Sequence, residues 1–101
     1  PITTEDKCQE VFGHIDQIYE GGEQDVFLTL NGNSRLFYIN RGLEKGLDLQ
    51  EMKQKLQGER VTLKFPRYWT PLDPFSQTRH VAKLEWGPEV LYDETLPPGK
   101  K

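Results

Sequence analysis

Cysteine is almost missing from this chain of 101 residues: Cys8 stands alone, which excludes an internal disulfide framework and a cysteine-rich zinc site. No stretch approaches the roughly 20 consecutive apolar residues that a membrane-spanning helix needs. Positive charge is in short supply too. Thirteen Lys and Arg face 16 Asp and Glu, a net charge of −3 that counts against a general nucleic-acid coat. Hydrophobic residues make up only 35% of the sequence, although the 11% that are aromatic are large enough to fill a small core. His14, His80, Asp16 and Asp73 show no metal-ligand spacing, and HExxH is absent. No glycine-rich phosphate loop is present either, since Gly21-Gly22 reads as a hairpin and Gly42 to Gly46 as a connector. The chain is therefore expected to be non-catalytic, with neither cofactor nor metal. What is left is one small soluble domain.

That domain is expected over residues 11–92, between a flexible N-terminal extension (1–10) and a flexible tail (93–101). Val11 to Tyr19 reads as a first strand, with Gly13 as a bulge or tight bend. Glu20-Gly21-Gly22-Glu23 is turn chemistry, and Asp25 to Leu30 alternates as a second strand. Asn31-Gly32-Asn33-Ser34 is the strongest hairpin signal, returning into a third strand, Arg35 to Asn40. A helix follows over 48–57. Asp48 and Glu51 form a capping box, Leu49, Met52 and Leu56 make one apolar stripe, and Gly58 closes it. Arg60 to Phe65 is an amphipathic fourth strand, ended by Pro66. A loop of bulky residues and prolines runs to Thr78, ahead of a fifth strand, Arg79 to Trp86. Val90 to Tyr92 then adds a short sixth strand or extends the fifth.

A three-stranded meander, one helix and two more strands resembles the OB-fold, a five-stranded Greek-key barrel. Leu56-Gln57-Gly58-Glu59-Arg60-Val61-Thr62-Leu63 is similar to the entry into the fourth strand of such barrels. The resemblance implies a mainly β fold, β-β-β-α-β-β, with the helix between strands three and four. An open SH3-like or α+β sheet, with the helix across one end, is the alternative.

Two groups of residues are candidates for binding. The 66–79 loop carries Arg67, Tyr68, Trp69 and Phe75 and leads to Arg79. Its aromatics either anchor a ligand or fold back as a lid over one end of the sheet. On the meander, Tyr19, Phe27, Phe37 and Tyr38 offer either core packing or a stacking platform, and Phe37 and Tyr38 must face opposite ways. Arg35, Arg41 and Lys45 bracket that meander, as phosphate contacts or as solubilising charge. His80 is expected to hydrogen-bond the preceding loop. From Arg60 to Lys83 five basic residues face one acid, Asp73, a local excess of positive charge. The leading expectation is a module that recognises a protein partner through the 66–79 loop and the adjacent face. The alternative is single-stranded nucleic acid, stacked on the same aromatics. Arginines converging on one groove favour nucleic acid, and scattered arginines favour protein.

Overall fold

The computed structural model describes residues 4–67, 71, 72, 75 and 77–95. After a short 3-10 turn at Glu5–Lys7, the strands are β1 (Cys8–Gly21), β2 (Asp25–Leu30), β3 (Leu36–Ile39), β4 (Arg60–Pro66), β5 (Thr78–His80), β6 (Lys83–Trp86) and β7 (Glu89–Asp93). One helix, α1 (Leu49–Leu56), lies between β3 and β4. The sheet order is β5-β3-β2-β1-β4-β6-β7, with only the β3–β5 pair parallel. The protein is mainly β.

β1 organises this sheet because its two halves pair with different strands. Cys8 to His14 pair with β4, and Ile15 to Gly21 pair with β2. At the changeover Ile15 N–H donates to Glu59 O (2.9 Å), and Gly58 N–H donates to Ile15 O (3.0 Å). The register slips between Ile15 and Gln17, so the bulge falls at Asp16 and not at Gly13. Gly13 serves packing instead: a Cβ there would lie 3.0 Å from Leu30 Cδ1. β1 also starts earlier than Val11, because Cys8 to Glu10 find ladder partners in Pro66 to Lys64.

The five-stranded closed barrel is not what forms: the sheet has seven strands and does not close. The expected fifth strand breaks at Val81 and Ala82, which are both buried and so lose strand alternation. Val81 N–H donates to Tyr38 O (2.7 Å) and Ala82 N–H to Lys64 O (2.8 Å), so two residues carry the chain from the β3 side to the β4 side. Glu89–Asp93 becomes a full edge strand beyond β6.

The helix forms as its local signals dictate. Asp48 accepts from Glu51 N–H (2.9 Å), and Gly58 adopts a positive φ (77°) just past the C-cap. Met52 and Leu56 are buried against a core built from both parts of the sheet, including Ile15, Leu28 and Phe37 on one and Val61, Leu63 and Leu84 on the other.

Candidate functional site

The ladder aligns four aromatic side chains in one row. Tyr19 pairs with Phe27, Phe27 with Tyr38, and Tyr38 with His80, across β1, β2, β3 and β5. Directly opposed residues lie on one face. The rings accordingly make a chain of contacts: Tyr19 stacks on Phe27 (5.4 Å between centroids), Phe27 tilts against Tyr38 (6.0 Å), and Tyr38 meets His80 edge-on (5.5 Å). The row lies on the outer face, because the alternate residues Ile18, Leu28, Phe37 and Ile39 point into the core. Phe27 also lies over Gly21, where a Cβ would come within 2.3 Å of its ring.

At the β5 end the row joins a polar cluster. His80 Nε2–H donates to Glu94 Oε2 (2.6 Å), and the Tyr92 hydroxyl donates to the other oxygen of Glu94. Lys45 Nζ donates to Tyr92 Oη (3.0 Å) and lies 3.7 Å from Glu94. Burial alone would raise Glu94, but hydrogen bonds from His80 and Tyr92 outweigh it and hold the carboxyl below its ordinary value. Burial, with the bond to Glu94, pushes the Tyr92 hydroxyl up. His80 thus bonds across to Glu94, beyond β7, and among the described residues not back to the preceding loop.

The other part of the sheet carries an ionic row. Glu10, Lys64, Lys83 and Asp93 are successive cross-strand partners over β1, β4, β6 and β7. Two lysines opposite each other repel. Glu5 resolves this by bonding to both Lys64 and Lys83, the latter at 3.0 Å. Those bonds hold Glu5 below its ordinary value and raise both lysines.

The expected basic excess over residues 60–83 is therefore largely engaged. Lys64 and Lys83 belong to the ionic row, and Arg60 lies over the exposed Phe12 ring (5.0 Å). Arg79 pairs in register with Phe37 and sets its guanidinium 5.2 Å from the Phe65 ring. It is on the core side, opposite to Tyr38 and His80. Arg41 adopts a left-handed conformation (φ 52°) at the end of the meander, its N–H bonded to Asp25 (2.7 Å) and its guanidinium to Glu44 (3.0 Å). Arg35 precedes β3, and Arg67 is exposed beyond β4, on the other part of the sheet. Arg35 and Arg79 lie near one end of the paired β3 and β5, and Arg41 lies past the other end of β3. Against protein-family models, curated proteins and solved structures, the chain finds no match.

Tyr68 and Trp69 lie outside the described residues. Leu72 and Phe75 from the same loop are 94% and 80% exposed, so these two do not fold back as a lid. The loop ends against the row, because Leu36 N–H of β3 donates to Gln77 O (2.8 Å) just before β5. Phe37 belongs to the core, whereas Tyr38 faces out. Sequence reasoning missed His80 as the fourth member of the row, and Glu94 as its partner. The first depends on the parallel β3–β5 pairing and the second on the return of β7 onto β6, which sets Glu94 N–H on Ala82 O (2.9 Å), and no local pattern reports either. Among the described residues no cluster of His, Cys, Asp or Glu is placed to hold a metal, and no helix is long and apolar enough to cross a membrane.

Proposed function

We propose that this chain is a non-catalytic binding module that takes a protein partner on the outer face of β1, β2, β3 and β5, together with the loop that ends at Gln77. The finer reading of the fold is an OB-like arrangement, with β5 and β6 as one interrupted fifth strand and β7 as an addition. The observation that carries the functional reading is the registered aromatic row with carboxylates at both of its ends. Aromatic side chains are enriched at protein interfaces and give large contact areas at low entropic cost. A nucleic-acid groove needs cations that converge on the stacking rings. Here Glu20, Glu23 and Asp25 lie around the β1–β2 turn at one end of the row, Glu94 bonds to His80 at the other, and Arg41 is held by Glu23 (3.7 Å) and Glu44.

A photo-crosslinking benzoyl group placed on the exposed Phe75 ring, by incorporating p-benzoylphenylalanine in the native cells, tests this. The expected product is a discrete adduct that protease destroys, nuclease leaves intact and Tyr38→Ala abolishes. A nuclease-sensitive adduct, or one that persists in Tyr38→Ala, would refute the reading.

A further inference from the structure

Beyond Ile15, β1 has a ladder partner on one side only among the described residues. Its register with β4 ends at His14 and Arg60, while its register with β2 runs on to Gly21. An unpaired strand side presents a row of free N–H and C=O groups. Gln17 to Gly21 is such an edge, about 17 Å long at ~3.4 Å per residue. A groove of about 680 Å³ lies along its Gln17–Tyr19 part, with Asp16 through Tyr19 on one wall and Lys53, Gln54 and Gln57 of the helix end on the other. Successive strand residues point to opposite faces, so a groove lined by four in a row lies against the edge itself. Gln57 Nε2 donates to Asp16 O (2.7 Å) and ties the two walls together.

The chemistry of this groove suits a peptide. Glutamine amides on both walls supply donors and acceptors, and among the described residues neither Asp16 nor Lys53 of the lining makes an ion pair, nor does Glu20 further along the edge. Tyr19 is the first ring of the aromatic row, and the row stops there because the sheet lays no further strand beside it. A strand added at this edge would set a side chain about 5 Å from Tyr19 and lengthen the row. The other long edge, β7, is less open. Lys55 bonds to Glu89 (2.9 Å) and Lys45 to Tyr92 (3.0 Å), and the groove there is about 290 Å³.

We propose that an extended segment of the protein partner adds as a strand along Gln17 to Gly21, with an aromatic or β-branched residue beside Tyr19 and a basic residue toward Asp16 and Glu20. This rests on the protein-partner reading and narrows it to strand addition.

The test is selection of random nonapeptides displayed on phage against the folded chain, followed by synthesis of the enriched peptides. Enriched sequences are expected to alternate in polarity, to carry Lys or Arg, and to protect the backbone amides of Gln17 to Gly21 in NMR hydrogen exchange. N-methylation of two alternate peptide amides should weaken binding by at least ~10-fold, since two ladder hydrogen bonds are lost. Lys53→Trp, which fills the groove from the helix, should weaken it comparably without altering the thermal midpoint. Gln54→Trp is the second variant should that one unfold. The proposal is overturned by absence of enrichment, by N-methylated peptides that bind equally, or by protection at β7. It is equally overturned by a dT12 oligonucleotide that protects the same amides, or by a dimer of this chain that Lys53→Trp dissociates. Peptides lost on Tyr38→Ala but retained on Lys53→Trp overturn strand addition and leave the outer-face reading standing. Peptides indifferent to both overturn both.

Discussion

Gly21 is the position at which the aromatic row is most open to test. Its backbone is not in the left-handed region, so alanine is conformationally allowed, and replacing glycine inside a strand ordinarily gains about 0.5–1 kcal/mol. Here the new Cβ would lie 2.3 Å from Phe27 Cε2 and 2.7 Å from Cδ2, so the ring must swing away. It then loses its stack on Tyr19 and its tilted contact with Tyr38, each worth roughly 0.5–1.5 kcal/mol. The balance predicts that Gly21→Ala destabilises the protein by about 1 kcal/mol. With the ring removed, the same substitution has nothing to strike. In a Phe27→Ala background Gly21→Ala should therefore stabilise, by about 0.5–1 kcal/mol. Urea unfolding followed by far-UV circular dichroism on the four proteins of this double-mutant cycle measures both signs. Equal effects in the two backgrounds would refute the packing of Phe27 over Gly21, and with it the continuity of the row.

Three further outcomes follow from contacts elsewhere. Asp48→Ala removes the acceptor for Glu51 N–H and should cost about 1 kcal/mol in the same urea assay. Glu5 sits below its ordinary 4.5, so its contribution is present at neutral pH and is lost as the pH falls through its lowered value; Lys64 and Lys83 sit above 10.5, so theirs is lost as the pH rises through theirs. Glu5→Gln should flatten both limbs of a plot of thermal midpoint against pH, and unchanged limbs would count against the bridge. Burial raises the Cys8 thiol, which also donates to Thr4 O (3.8 Å), so iodoacetamide at pH 8 should alkylate it more slowly than it does a free cysteine peptide.

The helix was legible in the sequence because Asp48, Glu51, the Leu49/Met52/Leu56 stripe and Gly58 all act within one short segment. The meander was legible for the same reason: its turns are local and its strands alternate. The break at Val81 and Ala82 was not. Ala82, Leu84 and Trp86 keep a period of two through the kink, and only the pull of two different strands, β3 on Val81 and β4 on Ala82, ends the alternation. The faces of Arg79 and His80 were hidden likewise. Alternation puts them on opposite sides, but only pairing with Phe37 and Tyr38 decides which side is core. A charged residue reads as outward, yet Arg79 covers Phe65. The seven-strand count follows from the break at Val81 and Ala82 together with β7, whose pairing with β6 is set by a Gly87-Pro88 turn too short for the sequence to separate extension from return.

The division of β1 between two partners has a consequence for the order in which the molecule assembles. Ile15 to Gly21 meets β2 within a few residues, so the meander can close as a near-neighbour hairpin on the microsecond scale of such elements. Cys8 to His14 must wait for Arg60 to Pro66, about fifty residues further along the chain, and β3 for Thr78 to His80. One half of a single strand is thus set early and the other late. On that order the arrival of β4 is the expected slow step, with β2 already paired, so substitutions in β2 should slow refolding in stopped-flow measurements and leave unfolding little changed.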